Sequence, residues 1–143
     1  MKTGSRIALI TTGGTIEKTY DELGGVLTNR VSNLDVMLAQ LELGGIELSR
    51  VGLMNKDSLD MTEEDLESVV ASVRAGLEEH DGVVVVHGTD RLADTGHLLH
   101  ERLSAPGKPV VLTGAMRPFE LRQTDAIQNI TEALLAIQLL EPG

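Results

Sequence analysis

Four short apolar segments alternate with four helical patterns along this chain of 143 residues, and that alternation limits the possible folds more than any other feature. The apolar segments lie at residues 7–12, 46–54, 82–88 and 108–114. The last two are nearly continuous valine, which indicates strands covered on both faces, as in a parallel sheet. The helical patterns lie at residues 33–43, 62–79, 90–103 and 124–140. The sequence therefore predicts an α/β fold, a doubly wound, flavodoxin-like and mainly parallel sheet of about four strands with helices on both faces.

Local signals mark the ends of two of these helices. Thr62-Glu63-Glu64-Asp65 has the pattern of a capping box and predicts the start of the second helix. Ser32 or Asn33 is the predicted N-cap of the first helix, and Gly44-Gly45 is its predicted stop.

Composition excludes several classes of protein. The length predicts a single domain, residues 1–143, with its own core. A formal charge of −10 argues against binding to nucleic acid or to an acidic membrane surface. The absence of cysteine excludes disulfides, thiolate catalysis and cysteine-ligated metals. No segment reads as a signal peptide or a membrane span, so we expect a cytoplasmic protein without nucleic-acid or membrane partners.

The residues just after each strand are the candidate site, because ligands bind beyond the carboxyl ends of the strands in such sheets. The first of these strand ends, TTGGT at residues 11–15, matches neither phosphate-binding glycine motif, which disfavours a nucleotide. Taken alone, it is explained equally well as a tight turn capped by threonines. The polar, glycine-broken segment 17–29 contains Tyr20, and its length predicts an N-terminal flap loop.

The other strand ends also have plain structural explanations. Thr89 or Asp90 is a natural N-cap for the third helix, and residues 55–60 read as a solvated turn. His97 and His100 share a helical face, but no further ligands have suitable spacing. We therefore predict no metal and no cofactor.

Together, these segments resemble the bacterial-type asparaginase/glutaminase family. TTGGTI at 11–16, HGTD at 87–90 and KPVVLTGAMRP at 108–118 occur in the order found in that family, and DSLDMT at 57–62 matches more loosely. The resemblance runs from about Arg6 to Leu140. It implies an amidohydrolase that cleaves the side-chain amide of L-asparagine through a threonyl acyl-enzyme, with L-glutamine open as a further substrate.

The resemblance also assigns catalytic roles. Thr15 matches the nucleophile, and Tyr20 approximately matches a flap tyrosine that helps to activate it. Thr89 and Asp90 belong to a second catalytic set, which in the family includes a lysine. That lysine lies beyond the fourth helix in the family, and no residue of this sequence corresponds to it. Lys108 opens the strand before the GAMRP loop, at the end opposite to the site.

Substrate-binding roles follow from the same resemblance. Asp90 would hold the α-ammonium group of the substrate, and Ser58 would hold its α-carboxylate. The backbone at Gly14 and near Ala115 would face the amide, with the loop glycines allowing backbone N–H groups to approach the developing oxyanion. Asn129 matches a recurrent asparagine after the GAMRP loop.

Two positions depart from the family pattern. Arg91 stands where threonine is usual in HGTDT, and Leu59 replaces a polar residue beside Ser58. A non-catalytic amino-acid or amide binding domain therefore stays open as the alternative. We also expect a homo-oligomer, a dimer or higher, because the predicted fourth strand has an uncovered edge.

Overall fold

The computed structural model describes residues 4–30 and 32–142. The strands found there are β1 (Ser5–Gly13), β2 (Thr19–Asp21), β3 (Val26–Thr28), β4 (Ile46–Lys56), β5 (Gly82–Val86) and β6 (Val110–Thr113). The helices are α1 (Leu34–Ala39), α2 (Glu63–Glu79), α3 (Leu92–Arg102) and α4 (Ala126–Leu139). The predicted alternation of strands and helices is confirmed, and the predicted flap contains a short antiparallel hairpin of β2 and β3.

The main sheet has the strand order β4-β1-β5-β6, and each neighbouring pair is parallel. Counted within this sheet, the order is second, first, third and fourth strand, which is the flavodoxin-like order. The predicted fold class is therefore confirmed. Because the strands are parallel, their carboxyl ends all lie at the same end of the sheet. The candidate site residues follow directly after these strand ends.

Successive valines of β5 divide between two cores on opposite faces of the sheet. Val84 and Val86 pack with α1 and α4, whereas Val83 and Val85 pack with α2 and α3. All of β5 is buried, as the valine run predicts. The same prediction is wrong for β6, where residues 110–112 are only half-buried. In the described structure β6 is one of the two edge strands of the main sheet, the other being β4, and helices cover β6 incompletely.

Local sequence signals predicted the start of α2 correctly but not the end of α1. The capping box of α2 is present, since the Thr62 hydroxyl accepts the Asp65 N–H and the Asp65 carboxylate accepts the Thr62 N–H. By contrast, α1 ends at Ala39 rather than at the predicted residue 43. There the backbone tightens into shorter-range hydrogen bonds, and Leu41 and Leu43 pack against the core from outside the helix.

An irregularity at the end of β1 shapes the first loop. The register between β1 and β4 shifts between Thr11 and Gly13, so that Gly13 lies opposite Lys56. Thr12 donates its hydroxyl hydrogen to the carbonyl of Val86 on the other side, at 2.7 Å. The loop that follows is therefore held between the ends of β4 and β5.

Candidate active site

Glycines bring the strand-end loops into direct contact. A Cβ atom built on Gly14 would lie 2.5 Å from the Cα of Gly88, so the first and third loops touch backbone to backbone. A Cβ on Gly88 would lie 2.6 Å from the Ser58 hydroxyl oxygen, which places the second loop on its other side. A Cβ on Gly114 would lie 3.3 Å from the Thr89 methyl carbon. The four strand ends identified in the sequence thus meet at one place.

Thr15 follows the glycine pair and begins a single 3-10 turn, Thr15–Glu17. Gly14 has a φ of +81°, a conformation that favours glycine and lets the chain reverse out of β1. Thr15 is half-buried. Its hydroxyl has no hydrogen-bond partner in the part of the chain that the structure describes. A hydroxyl at this position is available to contact a ligand.

The N–H groups of the two glycines are engaged within the protein, so other backbone donors must serve any oxyanion that the loop approaches. Gly13 donates its N–H to Glu17 Oε2 at 2.6 Å, and Gly14 donates to the carbonyl of Lys56 at 2.8 Å. Among residues 4–30 and 32–142, no acceptor is hydrogen-bonded to the N–H groups of Thr15 and Ile16, which leaves them as the loop's available donors.

Ser58 is buried rather than part of a solvated turn. Asp57 begins this turn, and its carboxylate accepts the Leu59 N–H at 3.0 Å. The Ser58 side chain points under the third loop, where its oxygen accepts the backbone N–H of Arg91 at 3.2 Å. Because that oxygen serves as an acceptor, the hydroxyl hydrogen can be donated to a ligand.

His87, the first residue of HGTD, is fully buried and fixes the end of β5. Its Nδ1 lies 2.8 Å from the carbonyl oxygen of Gly88, which can only accept, so Nδ1 carries the hydrogen. Nε2 then accepts the hydroxyl of Thr95 at 2.8 Å. Burial lowers the pKa of His87, and the nearby Arg91 charge acts in the same direction. The imidazole is therefore neutral and holds the third loop to α3.

Thr89 and Asp90 are exposed at the surface of the third loop. The expectation that one of them caps the third helix is not met, since α3 has Arg91 at its N-cap and no side-chain capping bond. Nor does the Asp90 carboxylate form a hydrogen bond or ion pair within the described residues. A carboxylate that its own helix does not use can pair with a cationic ligand.

Arg91, the departure from the family pattern, contacts the second loop with its side chain. Its guanidinium donates to the carbonyl of Met61 at 2.9 Å and lies 3.9 Å from Glu63 and 3.5 Å from Asp94. Side chain and backbone N–H together join the start of α3 to the turn that carries Ser58.

The start of α4 holds the fourth loop in place through hydrogen bonds. Ala115 is buried, and the next two N–H groups, those of Met116 and Arg117, both donate to the Asp125 carboxylate at 2.9 Å. Asn129 donates to the carbonyl of Gly114 at 2.9 Å and to Asp125. Partial burial acts to raise the pKa of Asp125, but these hydrogen bonds outweigh it and the pKa is lowered. Sequence reasoning missed Asp125, although an aspartate at the start of a helix was a signal.

Tyr20 lies on the hairpin and is more than half exposed. Its backbone N–H donates to Glu120 at 2.7 Å, which ties the flap to the fourth loop. Its hydroxyl lies over the hairpin turn, 4.0 Å from the place where a Cβ on Gly25 would be. The flap thus borders the site, but the Tyr20 hydroxyl rests over its own turn.

Two lysines occupy opposite ends of the sheet. Lys18 pairs with Asp57 at 3.1 Å, beside a cleft of about 420 Å³ between the hairpin and the second loop. The Leu59 N–H and the Lys18 ammonium lower the pKa of Asp57. Lys108 instead donates to the carbonyl of Leu77 at 2.5 Å, near the end of α2. Lys108 therefore lies away from the strand-end loops.

Metal-ligand clusters and membrane-spanning helices are both absent from the described residues. There, no three histidine, aspartate or glutamate side chains are grouped as metal ligands would be. His97 and His100 are both exposed on α3. Every described helix is too short or too polar to cross a bilayer.

Comparison with known proteins identifies the family. Residues 6–141 match the sequence family described as Asparaginase, N-terminal. The chain belongs to the asparaginase family. It is 30% identical over 138 residues to the L-asparaginase of Thermococcus kodakarensis, a match that covers 96% of this chain and 42% of that protein. The solved structure of the thermostable L-asparaginase from that organism has a TM-score of 0.85 and 31% identity, with the same coverage.

Other relatives of this asparaginase-family chain carry different names. The solved structure of a probable cytoplasmic L-asparaginase from Campylobacter jejuni has a TM-score of 0.74 at 32% identity, covering 93% of this chain and 41% of that one. A glutamyl-tRNA(Gln) amidotransferase component from Halobacterium salinarum is 35% identical over 136 residues, covering 91% of this chain and 31% of that protein. The chain thus spans less than half the length of these relatives.

Proposed function

We propose that this chain carries the nucleophile and substrate-binding loops of an amidohydrolase that cleaves the side-chain amide of L-asparagine. The observation that carries the proposal is the meeting of Gly14, Ser58, Gly88 and Gly114 next to Thr15, whose hydroxyl has no partner among the described residues. Acyl transfer needs an unengaged oxygen nucleophile beside groups that orient an amide.

In the proposed reaction, Thr15 Oγ1 attacks the side-chain carbonyl carbon of asparagine. The C–N bond then breaks, and the nitrogen takes up the proton that the Thr15 hydroxyl gives up and leaves as ammonia. Water hydrolyses the resulting threonyl ester, which releases L-aspartate and restores the hydroxyl. The N–H of Thr15 itself is the proposed oxyanion donor, because the glycine N–H groups are already engaged.

The amino-acid end of the substrate accounts for the other polar groups. Asp90 has no partner within the described residues and is proposed to pair with the α-ammonium group. Ser58 keeps its hydroxyl hydrogen for the α-carboxylate, since Arg91 supplies its other bond. The backbone at Ala115 is proposed to face the amide. Leu59 is 68% exposed, so it offers neither a polar contact nor a buried wall.

Two further catalytic roles each have a requirement: the role of Thr89 needs a base, and the role of Tyr20 needs the hairpin to close. Thr89 is proposed to help the attacking water, in concert with a base. Tyr20 is proposed to help activate Thr15 after the hairpin closes, because its hydroxyl lies over Gly25 in this conformation. Lys108 is not proposed as the base, given its bond to Leu77 on the far side of the sheet.

The same proposal extends to domain organisation, assembly and location. We take residues 1–143 as one domain, because both cores share a single sheet. We expect a homo-oligomer, since β6 is a half-buried edge strand, and sedimentation velocity at micromolar concentration would contradict this by showing monomer alone. A cytoplasmic location is supported by the name of the Campylobacter jejuni relative.

The test is ammonia release from L-asparagine and L-glutamine by the wild type and Thr15→Ala. We expect the loss of the hydroxyl to lower kcat by several orders of magnitude, about 10⁴-fold or more, with the melting temperature unchanged. Thr131→Ala, on the exposed face of α4, is the matched control.

Calorimetric titration with L-aspartate distinguishes the proposed amidohydrolase from the alternative, a non-catalytic binding domain. Binding without any ammonia release in the wild type would favour a non-catalytic amino-acid binding domain. Near-normal turnover by Thr15→Ala would remove Thr15 from the nucleophile's role. Ammonia release from L-glutamine alone would identify glutamine rather than asparagine as the substrate and would leave the proposed mechanism unchanged.

A further inference from the structure

A buried carboxyl group lies behind the nucleophile loop and has no part in the roles proposed above. Glu17 is 1% exposed and is the last residue of the turn that Thr15 begins. Glutamate is almost never buried to this extent without partners, because its desolvation is costly. Here both carboxyl oxygens are hydrogen-bonded.

These two bonds join both ends of the flap to the first loop. Oε2 of Glu17 accepts the N–H of Gly13 at 2.6 Å, and Oε1 accepts the hydroxyl of Ser32 at 2.8 Å. The Ser32 oxygen in turn accepts the N–H of Leu34, the first residue of α1, at 3.1 Å. The chain enters the hairpin after Glu17 and returns before Ser32, so one side chain ties together its entry, its exit and the loop before Thr15.

The same loop is fixed from two further directions. Asn29 donates from its amide to the carbonyl of Gly14 at 2.9 Å and to Asn55 at 3.1 Å. The carbonyl of Lys56 accepts the N–H of Gly14 at 2.8 Å. Gly13 and Gly14 have φ values of +109° and +81°. Glycine is the most permissive residue at such angles, so the surrounding bonds determine which conformation it keeps.

We propose that Glu17 is a positioning residue, which fixes the backbone of Gly13 and Gly14 and thereby sets the attack geometry of Thr15. It neither gives nor takes a proton in the reaction. The kinetic part of this inference rests on the proposed function, because it requires turnover. The structural part does not.

The two bonds of Glu17 are compatible with either protonation state. The ionised form accepts both hydrogens, whereas the neutral form donates from Oε1 to Ser32 and still accepts from Gly13 at Oε2. Burial raises the pKa of Glu17, and the bonds from Ser32 and Gly13 oppose this. The charged groups that influence it are Arg50 and Asp35, which act in opposite directions. Glutamine reproduces the neutral arrangement, so the function assigned here needs the geometry and not the charge.

The kinetic arm compares Glu17→Gln, Glu17→Ala and the control Glu47→Ala, which removes an exposed carboxylate from β4. Glu17→Gln is expected to keep most of the wild-type kcat. Glu17→Ala is expected to lose about 100-fold in kcat, the scale of a displacement of about 1 Å, with little change in KM. A glutamine variant that loses as much kcat as the alanine variant would overturn the proposal.

The structural arm uses NMR of the isotope-labelled chain and does not depend on turnover. The Gly13 amide should exchange slowly in the wild type and in Glu17→Gln, and quickly in Glu17→Ala. The Thr15 amide and methyl resonances should shift in the alanine variant alone. Thr15 resonances that stay in place there overturn the positioning role. A wild type without turnover whose Thr15 resonances shift in Glu17→Ala refutes the proposed function and supports the positioning role.

Ser32→Ala provides the second variant if Glu17→Ala does not fold. It removes one bond of Glu17 and keeps the other, so a smaller shift of the Thr15 resonances is expected, with a partial loss of kcat. No change in the resonances of either Gly13 or Thr15 would contradict the proposal.

Discussion

The hydroxyl oxygen of Ser58 accepts the backbone N–H of Arg91 at 3.2 Å, which joins the second strand end to the third. The guanidinium of the same arginine reaches the carbonyl of Met61 at 2.9 Å, three residues beyond Ser58. Arg91 therefore holds the turn that carries Ser58 through both its backbone and its side chain.

Arg91→Met tests the contribution of the Arg91 side chain, because methionine keeps the apolar stem and removes the guanidinium. The backbone bond to Ser58 stays, but the Met61 carbonyl loses its donor. We expect a loss of about 1–3 kcal/mol in the free energy of unfolding and a rise in KM for L-asparagine with kcat nearly unchanged. Urea denaturation and steady-state kinetics measure both. Arg74→Met, an exposed arginine on α2, is the control, and equal effects of the two variants would contradict the role of Arg91.

Gly88→Ala should damage the site by steric overlap. The added Cβ would lie 2.6 Å from the Ser58 oxygen and 2.8 Å from its Cβ. Overpacking of this kind costs about 1–3 kcal/mol and should displace Ser58, so affinity for L-aspartate should fall. Gly44→Ala is the control, since nothing lies within 4 Å of its added Cβ. If the Gly88→Ala variant binds L-aspartate as tightly as the wild type, close contact between the second and third loops is not needed for binding.

Asp90→Ala should weaken substrate retention without changing stability. The carboxylate has no partner among the described residues, so its removal breaks no internal bond. The α-ammonium group of a bound amino acid would lose its counter-charge, a loss of about 2–5 kcal/mol. Calorimetric titration with L-aspartate and the thermal midpoint are the two measurements. Glu101→Gln on the exposed side of α3 is the control. Unchanged affinity would refute the role given to Asp90.

The stability of the protein should fall in mild acid because of His87. Burial lowers the pKa of His87 in the folded state, so below about pH 6.5 the unfolded chain binds more protons at this residue than the folded chain does. Stability is therefore complete above that pH and declines toward the lowered folded pKa, by at most about 1.4 kcal/mol per pH unit for one group. Urea denaturation between about pH 5 and 8 measures the slope. His87→Gln should flatten it, whereas the exposed His97→Gln should not, and an unchanged slope in His87→Gln would refute this origin.

The two lysines should differ in their effect on activity. Lys18→Met leaves Asp57 unpaired beside Ser58, so we expect KM to rise a few-fold, in line with the about 1 kcal/mol of a partly exposed ion pair. Lys108→Met removes a bond to Leu77 at the other end of the sheet and should leave KM and kcat unchanged. Ammonia release under identical conditions compares them. A larger loss of activity from Lys108→Met than from Lys18→Met would contradict the placement of the site.

Much of the fold was predictable because its signals are local. The valine run of β5 and the capping box at Thr62 each depend on a few neighbouring residues. The meeting of the strand ends followed from parallel pairing alone. The covering of β6 was mispredicted, because burial of an edge strand depends on which elements lie beside it and not on its own composition. The early end of α1 likewise reflects packing of Leu41 and Leu43 against a core built from distant segments of the chain.

The site was less predictable than the fold. The sequence places Thr15 and Asp90 at strand ends, but it gives no sign that Glu17, a polar residue in a flap, turns inward to bind Gly13. Nor could it assign the partner of the Gly14 N–H group, since Lys56 is more than forty residues away in the chain and reaches Gly14 only through the strand register. Hydrogen bonds between distant segments are decided by the assembled sheet.

The central place of β1 has a consequence for synthesis on the ribosome. This strand is translated before its partners, since it pairs on one side with β4 and on the other with β5, and the Arg6 N–H donates to a side chain 75 positions later. Until those segments emerge, its apolar face and both its edges have no native partner, which is the kind of exposure that slows folding and invites aggregation. The segment around Thr15 is thus translated before the strands that order it, and a chaperone that shields nascent strands would act on it until β4 and β5 have emerged.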